Sequence, residues 1–227
     1  NATVSVVIPC FNSAATIERA LRSVEHQTTK PNEVLVVDDA SSDNTVSVIE
    51  QYARTSSINI RVIKQSVNGG PSVARNAAWN VATGEFIAFL DADDQWHPQK
   101  LEVQLNAMLS NPTCVMSFHD HLFGSSEQFE TLPFTPVTSQ ATLRNYLLRN
   151  RSATPTVMLR TALTERFTST KRYAEDYLLW MTIVANHGNA LHIHATLAHC
   201  SNPGYGGSGQ SSKLWKMERS ELSGFVS

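Results

Sequence analysis

The first half of the chain alternates short apolar runs with stretches that carry apolar residues at helical spacing. An unbroken apolar run of this length is typical of a strand buried on both faces, as in a parallel sheet. The sequence therefore predicts an α/β fold, with a mostly parallel central sheet and helices on both faces. The predicted strands are Val4–Pro9, Val34–Val37, Ile60–Ile63 and Phe86–Leu90, and the helices between them carry Ile17 to Val24, Val46 to Ala53 and Ala74 to Val81.

Three residues indicate where these helices begin and end. Asp43 has a short acceptor side chain and is the predicted N-cap of the second helix. Pro71 suits the first position of the third helix, because proline has no N–H to lose there. Gly84 is the predicted C-terminal stop of that helix.

The pattern changes after the fourth strand. Helices are predicted through Leu101 to Leu109 and over Ala174–His187, and strands at Val115–His119, Thr154–Leu159 and Leu191–Leu197. Gly124–Thr138 resembles a loop. Pro203–Ser212 is rich in Gly and Ser and predicts a flexible segment, with a short closing helix over 213–224.

Composition and charge exclude several classes of protein. Hydrophobic residues make up 41% of the 227 residues and charged residues 17%, which is typical of a globular domain and excludes a disordered chain. Eighteen Lys and Arg against 20 Asp and Glu give a formal charge of -2, and no basic stretch indicates a nucleic-acid partner. The longest apolar runs are too short for a membrane-spanning helix.

The cysteines and the first residues indicate a reducing compartment. Cys10, Cys114 and Cys200 are odd in number and far apart, which argues against a disulfide framework and against a clustered zinc site. The chain enters a strand-like run almost at once, so we expect no signal peptide and a cytoplasmic location. The chain begins at Asn1 rather than Met, so the natural protein could extend beyond both ends.

Polar clusters follow three of the first four predicted strands. Because parallel strands present their carboxyl ends at one edge of the sheet, these clusters should converge there. Asp91 and Asp93 are two residues apart and face the same side of an extended backbone. Carboxylate oxygens suit Mg²⁺ or Mn²⁺, above all when a substrate diphosphate supplies further ligands. The alternative is a purely structural role in helix capping, which would account for Asp94 but not for all three of Asp91, Asp93 and Asp94.

The other two clusters suit the nucleoside part of a ligand. Asp38 or Asp39 could accept a hydrogen bond from a base or ribose, although a turn or cap role within residues 38–43 is the alternative. Phe11 follows a strand end, where a core aromatic is unusual, so it could stack on a base. These clusters together predict a nucleotide-diphosphate site at this edge.

Four segments of the first half form an ordered set of motifs: VVIPCFN at 6–12, VVDDASSD at 36–43, GGP through ARN at 69–76 and GEFIAFLDADD at 84–94. Together they resemble family 2 glycosyltransferases with the GT-A fold. Their order and spacing match over roughly residues 4–110, and the combination is more specific than any one segment. A later segment at residues 174–180 resembles that family's Glu-Asp motif, which carries the catalytic base.

The resemblance implies a nucleotide-sugar donor and an inverting transfer to an acceptor hydroxyl. It places Asp39 at the uracil ring with Asp38 adjacent, and Asp91 near the ribose or donor sugar. It places Asp93 on a Mn²⁺ or Mg²⁺ ion at the diphosphate, and Asp176 as the base. The remaining donor-binding positions that it implies are Pro9, Phe11 and Asn12 in the nucleoside pocket, Arg75 near the phosphates or base, and Ala92 between the two aspartates.

The chemistry agrees with this assignment. A cation neutralises the charge that develops on a diphosphate leaving group, and one base on the opposite face directs a single displacement, which inverts the anomeric carbon. Glu175 is the alternative to Asp176, since helical neighbours differ by about 100° in direction. Thr154 and Thr156 match a less specific acceptor-side segment and stay outside the predicted site.

Two pairs of histidines have spacings that also occur among metal ligands. They are His119 and His121, and His192 and His194, each pair being separated by one residue of a predicted strand. We expect them to be exposed or partly buried side chains rather than ligands, because that is the commoner role of strand histidines.

Other functions fit the residues less well. A nucleotidyltransferase of related fold needs a Gly-rich loop after the first strand, and a nicotinamide oxidoreductase needs Gly-x-Gly-x-x-Gly there, whereas this chain has Pro9-Cys10-Phe11-Asn12-Ser13. A phosphatase with an aspartate nucleophile carries Asp-x-Asp after its first strand, not its fourth. An inactive nucleotide-sugar-binding module remains an alternative, against which the presence of Asp91, Asp93 and Asp176 argues.

The resemblance also sets expectations for partners and organisation. We expect a saccharide or lipid-linked acceptor, and the protein could associate peripherally with the inner face of a membrane. A single domain is expected over residues 1–227. Its parts would be a nucleotide-sugar-binding half at 1–110, an acceptor-side half at 111–200 and the C-terminal segment at 201–227.

Overall fold

The computed structural model describes residues 2–124, 129, 136–148, 152–168, 174–188 and 190–201. Its strands are β1 Val4–Cys10, β2 Glu33–Asp38, β3 Ile60–Lys64, β4 Phe86–Phe89, β5 Gln95–Trp96, β6 Met116–Phe123, β7 Thr138–Ala141, β8 Met158–Arg160 and β9 Ala190–Cys200. Its helices are α1 Ile17–Glu25, α2 Thr45–Thr55, α3 Pro71–Trp79, α4 Lys100–Leu109, α5 Leu143–Leu148 and α6 Glu175–His187.

These strands form one sheet in the order β3-β2-β1-β4-β8-β6-β9-β5, and β7 also pairs with β9. The pairs among β3, β2, β1 and β4 are parallel, and so is the pair of β6 with β9. β8 runs antiparallel to both β4 and β6, so β6 and β9 point in the same direction as β4. The predicted mixed α/β fold with a mostly parallel sheet is therefore confirmed.

Both faces of the sheet are covered, as the unbroken apolar runs predict. Along β1, Val6 and Ile8 pack into a core layer shared with Ile17 of α1 and Leu101 of α4. Val7, between them, packs into the opposite layer with α3 and α6. Successive strand residues point to opposite faces, so a strand between two helical layers needs apolar residues at every position.

Gly84 does not stop a helix. α3 ends at Trp79, and Asn80 is its C-cap. Gly84 instead lies against β1, where an added Cβ would come within 2.6 Å of the Ser5 nitrogen, and its N–H donates to Ser5 Oγ at 2.9 Å. A side chain has no room at this point because the backbone leading into β4 approaches the backbone of β1.

Two other local predictions need correction. Thr154–Thr156 is a 3₁₀ turn rather than the start of a strand, and strand pairing begins only at Met158. Pro155 has no N–H to give to a sheet, which favours the turn. Asn44, not Asp43, is the N-cap of α2, although Asp43 Oδ1 accepts the Thr45 N–H at 3.0 Å.

Further points concern residues that the sequence analysis singled out. The three cysteines are free thiols, and two of them, Cys10 and Cys200, are buried. Among the residues that the structure describes, no helix is long and apolar enough to cross a membrane. The predicted flexible segment and closing helix after residue 201, and most of the predicted loop at 124–138, lie outside the described residues.

Candidate active site

The loops that follow β1 and β2 are joined by hydrogen bonds at the carboxyl edge of the sheet. The Asn12 N–H donates to Ser41 Oγ at 2.9 Å, and Asn12 Oδ1 accepts the Ser42 N–H at 2.9 Å. Asn12 has φ of 49°, a left-handed conformation that asparagine tolerates better than most residues. The Phe11 side chain beside it is 48% exposed, which leaves its ring accessible to a planar ligand.

Asp39 holds the loop that leads into α3. Its Oδ1 accepts the Gly69 N–H at 2.8 Å and its Oδ2 accepts the Gly70 N–H at 2.7 Å. The neighbouring Asp38 is also buried, and its Oδ2 accepts the Ser41 N–H at 3.2 Å. Each carboxylate oxygen has two lone pairs, so Asp39 retains capacity to accept from a ligand. Its expected contact with uracil stays a prediction.

The acidic cluster after β4 combines two partly exposed carboxylates with a buried one. Asp91 and Asp93 are partly exposed, whereas Asp94 is buried. Burial raises the pKa of Asp93, and the charge of Asp91 adds to the rise. Burial and then Asp91 and Asp93 raise the pKa of Asp94 to about 8. A cation would relieve this crowding of like charges.

Asp94 does not cap the next helix. α4 begins at Lys100 with Gln99 as its N-cap, and the Asp94 Oδ1 instead accepts the Ser201 N–H at 2.8 Å. The Asp93 backbone carbonyl accepts from the Arg19 guanidinium and from the Ser201 hydroxyl. These hydrogen bonds connect the acidic turn to Arg19 of α1 and to Ser201, the residue that follows β9.

Arg75 of α3 connects the acidic turn to the start of α6. Its Nη2 lies 2.6 Å from Asp91 Oδ1, and its Nη1 lies 3.8 Å from Glu175 Oε1. The Arg75 side chain is only 6% exposed, and its guanidinium lies 5.3 Å from the centre of the Phe167 ring. Burial alone would lower the pKa of Arg75, but Asp91, Glu175 and Asp176 reverse the effect and raise it, so the residue is a permanent cation.

Asp176 is partly exposed and lies in the first turn of α6, where the helix dipole favours a negative charge. Its Oδ2 accepts from Thr154 Oγ1 at 3.0 Å, and its Oδ1 accepts the Tyr177 N–H at 2.7 Å. Burial raises the pKa of Asp176 even though Arg75 and these two hydrogen bonds act to lower it. A carboxylate with a raised pKa is a better proton acceptor than an ordinary aspartate.

Glu175, the alternative base, is more buried than Asp176. Burial and the neighbouring Asp176 raise its pKa to about 7, against the opposing effect of Arg75. Glu175 is therefore only partly ionised near neutral pH, and its side chain lies 3.8 Å from the Arg75 guanidinium.

The structure thus brings together most of the residues that the sequence singled out. Ion pairs or electrostatic interactions link Arg75 with Asp91, Glu175 and Asp176, and Asp93 interacts with Asp91. Asn12 and Asp39 lie in the adjoining loops, and the Asp39 N–H donates to the Cys10 carbonyl at 2.9 Å. Two predicted donor-binding residues are buried. Pro9 pairs with Val37 inside the sheet, and Ala92 is 7% exposed.

Two residues of the site are not among those that the sequence predicts. Thr154 lies outside the predicted site, yet its hydroxyl donates a hydrogen bond to Asp176. Phe167 carries no local motif, but its backbone is fixed to α3 because the Asn76 side chain donates to the Phe167 carbonyl at 2.7 Å and accepts its N–H at 3.0 Å. The Ala-Arg-Asn segment therefore positions both Arg75 and the ring on which Arg75 lies.

This arrangement of loops, acidic turn and carboxylate is typical of one class of enzyme. The carboxyl edge of the sheet carries two loops joined by hydrogen bonds, an acidic turn in which the pKa of Asp93 is raised, and a carboxylate from the second half of the chain, Asp176, whose pKa is also raised. Those are the parts of an enzyme that transfers a group from a nucleotide-linked donor. Residues 5–167 match the family described as Glycosyl transferase family 2, so the chain belongs to the family 2 glycosyltransferases.

Relatives and a solved structure agree. The chain is 34% identical over 182 residues to WfgD of Escherichia coli, named a UDP-Glc:alpha-D-GlcNAc-diphosphoundecaprenol beta-1,3-glucosyltransferase, covering 80% of this chain and 69% of WfgD. It is 40% identical over 115 residues to TuaG of Bacillus subtilis, a putative teichuronic acid biosynthesis glycosyltransferase, covering 51% of this chain and 45% of TuaG. The crystal structure of S. aureus TarS 1-349 with UDP-GlcNAc superimposes with a TM-score of 0.76 at 25% identity, over 99% of this chain and 66% of that one.

These comparisons confirm the predicted family and the GT-A fold. The chain spans less than half the length of TuaG and about two thirds of the lengths of WfgD and of the TarS chain.

Proposed function

We propose that the protein transfers a sugar from a UDP-sugar to a hydroxyl of a saccharide or lipid-linked acceptor, with inversion at the anomeric carbon. The observation that carries this proposal is the position of Arg75, which pairs with Asp91 on the donor side and lies near Glu175 and Asp176 on α6. One buried cation thereby ties the donor turn to the proposed base. The chain would act as one domain, with a donor half at 1–110 and an acceptor-side half at 111–200.

The donor-binding half of the proposal rests on the two interlocked loops and the acidic turn. Phe11 offers a ring for stacking, Asn12 is fixed in a left-handed turn, and Asp39 has acceptor capacity toward a base. UDP is the proposed nucleotide, because WfgD is named for UDP-Glc and TarS binds UDP-GlcNAc. The donor sugar is accordingly proposed to be a glucose- or GlcNAc-type residue.

The residues of the acidic turn fit a divalent cation. Asp93 would hold Mn²⁺ or Mg²⁺ together with oxygens of the donor diphosphate, and the raised pKa of Asp93 marks a site where negative charge is crowded. When bound, such an ion stabilises the charge of a diphosphate leaving group. Asp91 is the less suitable ligand, since Arg75 already pairs with it.

The transfer step follows from the carboxylate of α6. The acceptor oxygen forms a bond to the anomeric carbon as the bond from that carbon to the diphosphate oxygen breaks, and UDP leaves with the electron pair. The acceptor hydroxyl gives its proton to Asp176. Thr154 and the Tyr177 N–H orient the carboxylate. A single displacement inverts the configuration, because the acceptor must approach from the face opposite the leaving group.

The proposed acceptor and location follow the relatives. WfgD is named for a lipid-diphosphate acceptor, so we propose a lipid-linked saccharide that this protein meets at the cytoplasmic surface of a membrane.

A transfer assay tests the function. The protein is incubated with Mn²⁺, a short-chain polyprenyl-diphosphate-GlcNAc acceptor and, in parallel, UDP-Glc, UDP-GlcNAc, UDP-Gal or GDP-Man. We expect UDP release and a new product with one of the UDP-sugars, with a β-linkage by NMR from an α-linked donor. Turnover of GDP-Man alone, or an α-linked product, would contradict the proposal.

A further inference from the structure

Three side chains that carry metal-ligating atoms lie together on the β6 and β9 part of the sheet, away from the acidic turn. They are Asp120, His192 and His194, and one ligand atom from each lies within 4.8 Å of those from the other two. The acidic turn contacts the far end of β9, where the Ser201 N–H donates to Asp94 Oδ1, whereas His192 and His194 lie in the first half of that strand. The sequence alone predicts that these histidines are not metal ligands, because it does not show that Asp120 lies beside His192 and His194.

The pairing of β6 with β9 explains why the three meet. His192 and His194 are two residues apart on β9 and point to the same face. Phe118 is the partner of His192, but the register shifts between His119 and Asp120, so Asp120 pairs with Thr196. A bulge of this kind redirects side chains, and here the Asp120 Oδ1 lies 2.8 Å from His192 Nε2.

Contacts with Phe118 and Ser139 fix the positions of the two imidazole rings. The His192 ring stacks on Phe118, with ring centres 4.6 Å apart and planes 7° apart, and its side chain is only 11% exposed. His194 Nε2 lies 2.7 Å from the Ser139 hydroxyl of β7, which leaves its Nδ1 for another partner. Metal-binding histidines commonly hold their second ring nitrogen in such a hydrogen bond.

We propose that Asp120, His192 and His194 form a binding site for Zn²⁺ or a similar first-row transition-metal ion. Two imidazoles and one carboxylate are the ligand set of many three-ligand zinc sites, in which water or another group takes the fourth position. Zinc bonds of about 2.1 Å place tetrahedral ligand atoms about 3.4 Å apart, so side-chain shifts of about 1 Å would suffice. The opening is on the solvent side, because Asp120 is 48% exposed and His194 is exposed.

The ion would join β6 to β9 where their register shifts. Because the ligands come from both strands and Ser139 of β7 supports one of them, binding should stabilise this part of the sheet. The proposal is independent of the proposed transferase chemistry, since none of the three ligands takes part in it.

Cobalt and zinc titrations test the site on the tag-free, chelator-treated protein in an Asp93→Asn background, which removes the proposed active-site ion. We expect one equivalent of Co²⁺ with a visible d–d absorption band of a low-coordinate site, and its displacement by Zn²⁺. At a hundredfold excess of Zn²⁺ over Kd, the melting temperature should rise by about 5–10 °C.

His194→Ala should weaken Co²⁺ binding at least tenfold and abolish the Zn²⁺-induced rise in melting temperature. His187→Ala is the matched control, because His187 is an exposed histidine of α6 that contacts Glu165 instead, and it should bind as the parent does. Asp120→Asn, which preserves the side-chain shape, gives a second test if the histidine variant folds poorly. Equal Co²⁺ binding by the parent, His194→Ala and Asp120→Asn proteins, or no binding by the parent, would overturn the proposal.

Discussion

Arg75 Nη2 lies 2.6 Å from Asp91 Oδ1, and this ion pair between a buried arginine and a partly exposed aspartate joins α3 to the acidic turn after β4. The same guanidinium lies near the two carboxylates that begin α6, from the other half of the chain. One residue therefore balances three acids. Burial raises the pKa of Asp176 and the charge of Arg75 opposes that rise, which links the donor side of the site to the proposed base.

Replacing this cation should change the pH dependence of transfer. Arg75 lowers the pKa of Asp176, so Arg75→Met should raise that pKa and move the acidic limb of the kcat/KM profile to higher pH. Arg54→Met removes an exposed arginine of α2 and should leave the limb in place. An unchanged limb in Arg75→Met would show that Asp176 is not the group that must be ionised.

Asp176→Asn should lower turnover by about 10²- to 10⁴-fold, the usual contribution of a general base, with little change in UDP affinity. The amide keeps the shape and can still accept from Thr154 through its oxygen, but it cannot take a proton. Glu175→Gln is the neighbouring control and should retain most of the transfer rate. If Glu175→Gln is inactive and Asp176→Asn retains full rate, the base is Glu175.

A hydroxyl that binds the base should tune it. The hydrogen bond from Thr154 to Asp176 Oδ2 lowers the pKa of that carboxyl, so Thr154→Val, which removes the bond, should raise the pKa. The acidic limb of the pH profile should therefore move up by about 0.5–1 unit, corresponding to about 1 kcal/mol. Thr156→Val makes the same chemical change where the hydroxyl donates to the Ala153 carbonyl at 2.7 Å, and its limb should not move.

Glu175 should make folding stability fall as pH rises. Burial raises its folded-state pKa to about 7, above its ordinary value of 4.5, so the folded protein binds more protons than the unfolded chain between these pH values. The free energy of unfolding therefore decreases over that range. Glu175→Gln should resemble the wild type at pH 4.5 and be more stable at pH 8, by on the order of 1–3 kcal/mol.

Urea unfolding at the two pH values measures this difference. Glu85→Gln changes a half-exposed glutamate that pairs with Arg160 and should show no comparable gain at pH 8. A Glu175→Gln protein that is less stable than the wild type at pH 8 would show that its ion pair with Arg75 outweighs the cost of burial.

The sequence predicts the donor half of this site because its determinants are local. Strands buried on both faces appear as unbroken apolar runs, and Asp39, Asp91 and Asp93 follow directly from strand ends. Gly84 was misassigned because the reason for a glycine there is a contact with Ser5, far away in the chain. Thr154, Phe167 and the cluster of Asp120 with two histidines depend on packing or on a shift in strand register, which no local pattern shows.

Calorimetric titration of UDP, with and without Mn²⁺, tests the central claim most directly. In the wild type, Mn²⁺ should raise the affinity for UDP at least tenfold, which corresponds to about 1.4 kcal/mol. Asp93→Asn should bind UDP about as the metal-free wild type does, whether or not Mn²⁺ is present, whereas Asp120→Asn should keep the Mn²⁺ effect. Equal UDP affinity in all these conditions, or no measurable UDP binding by the wild type, would contradict the account of a metal-assisted UDP-sugar site at this edge of the sheet.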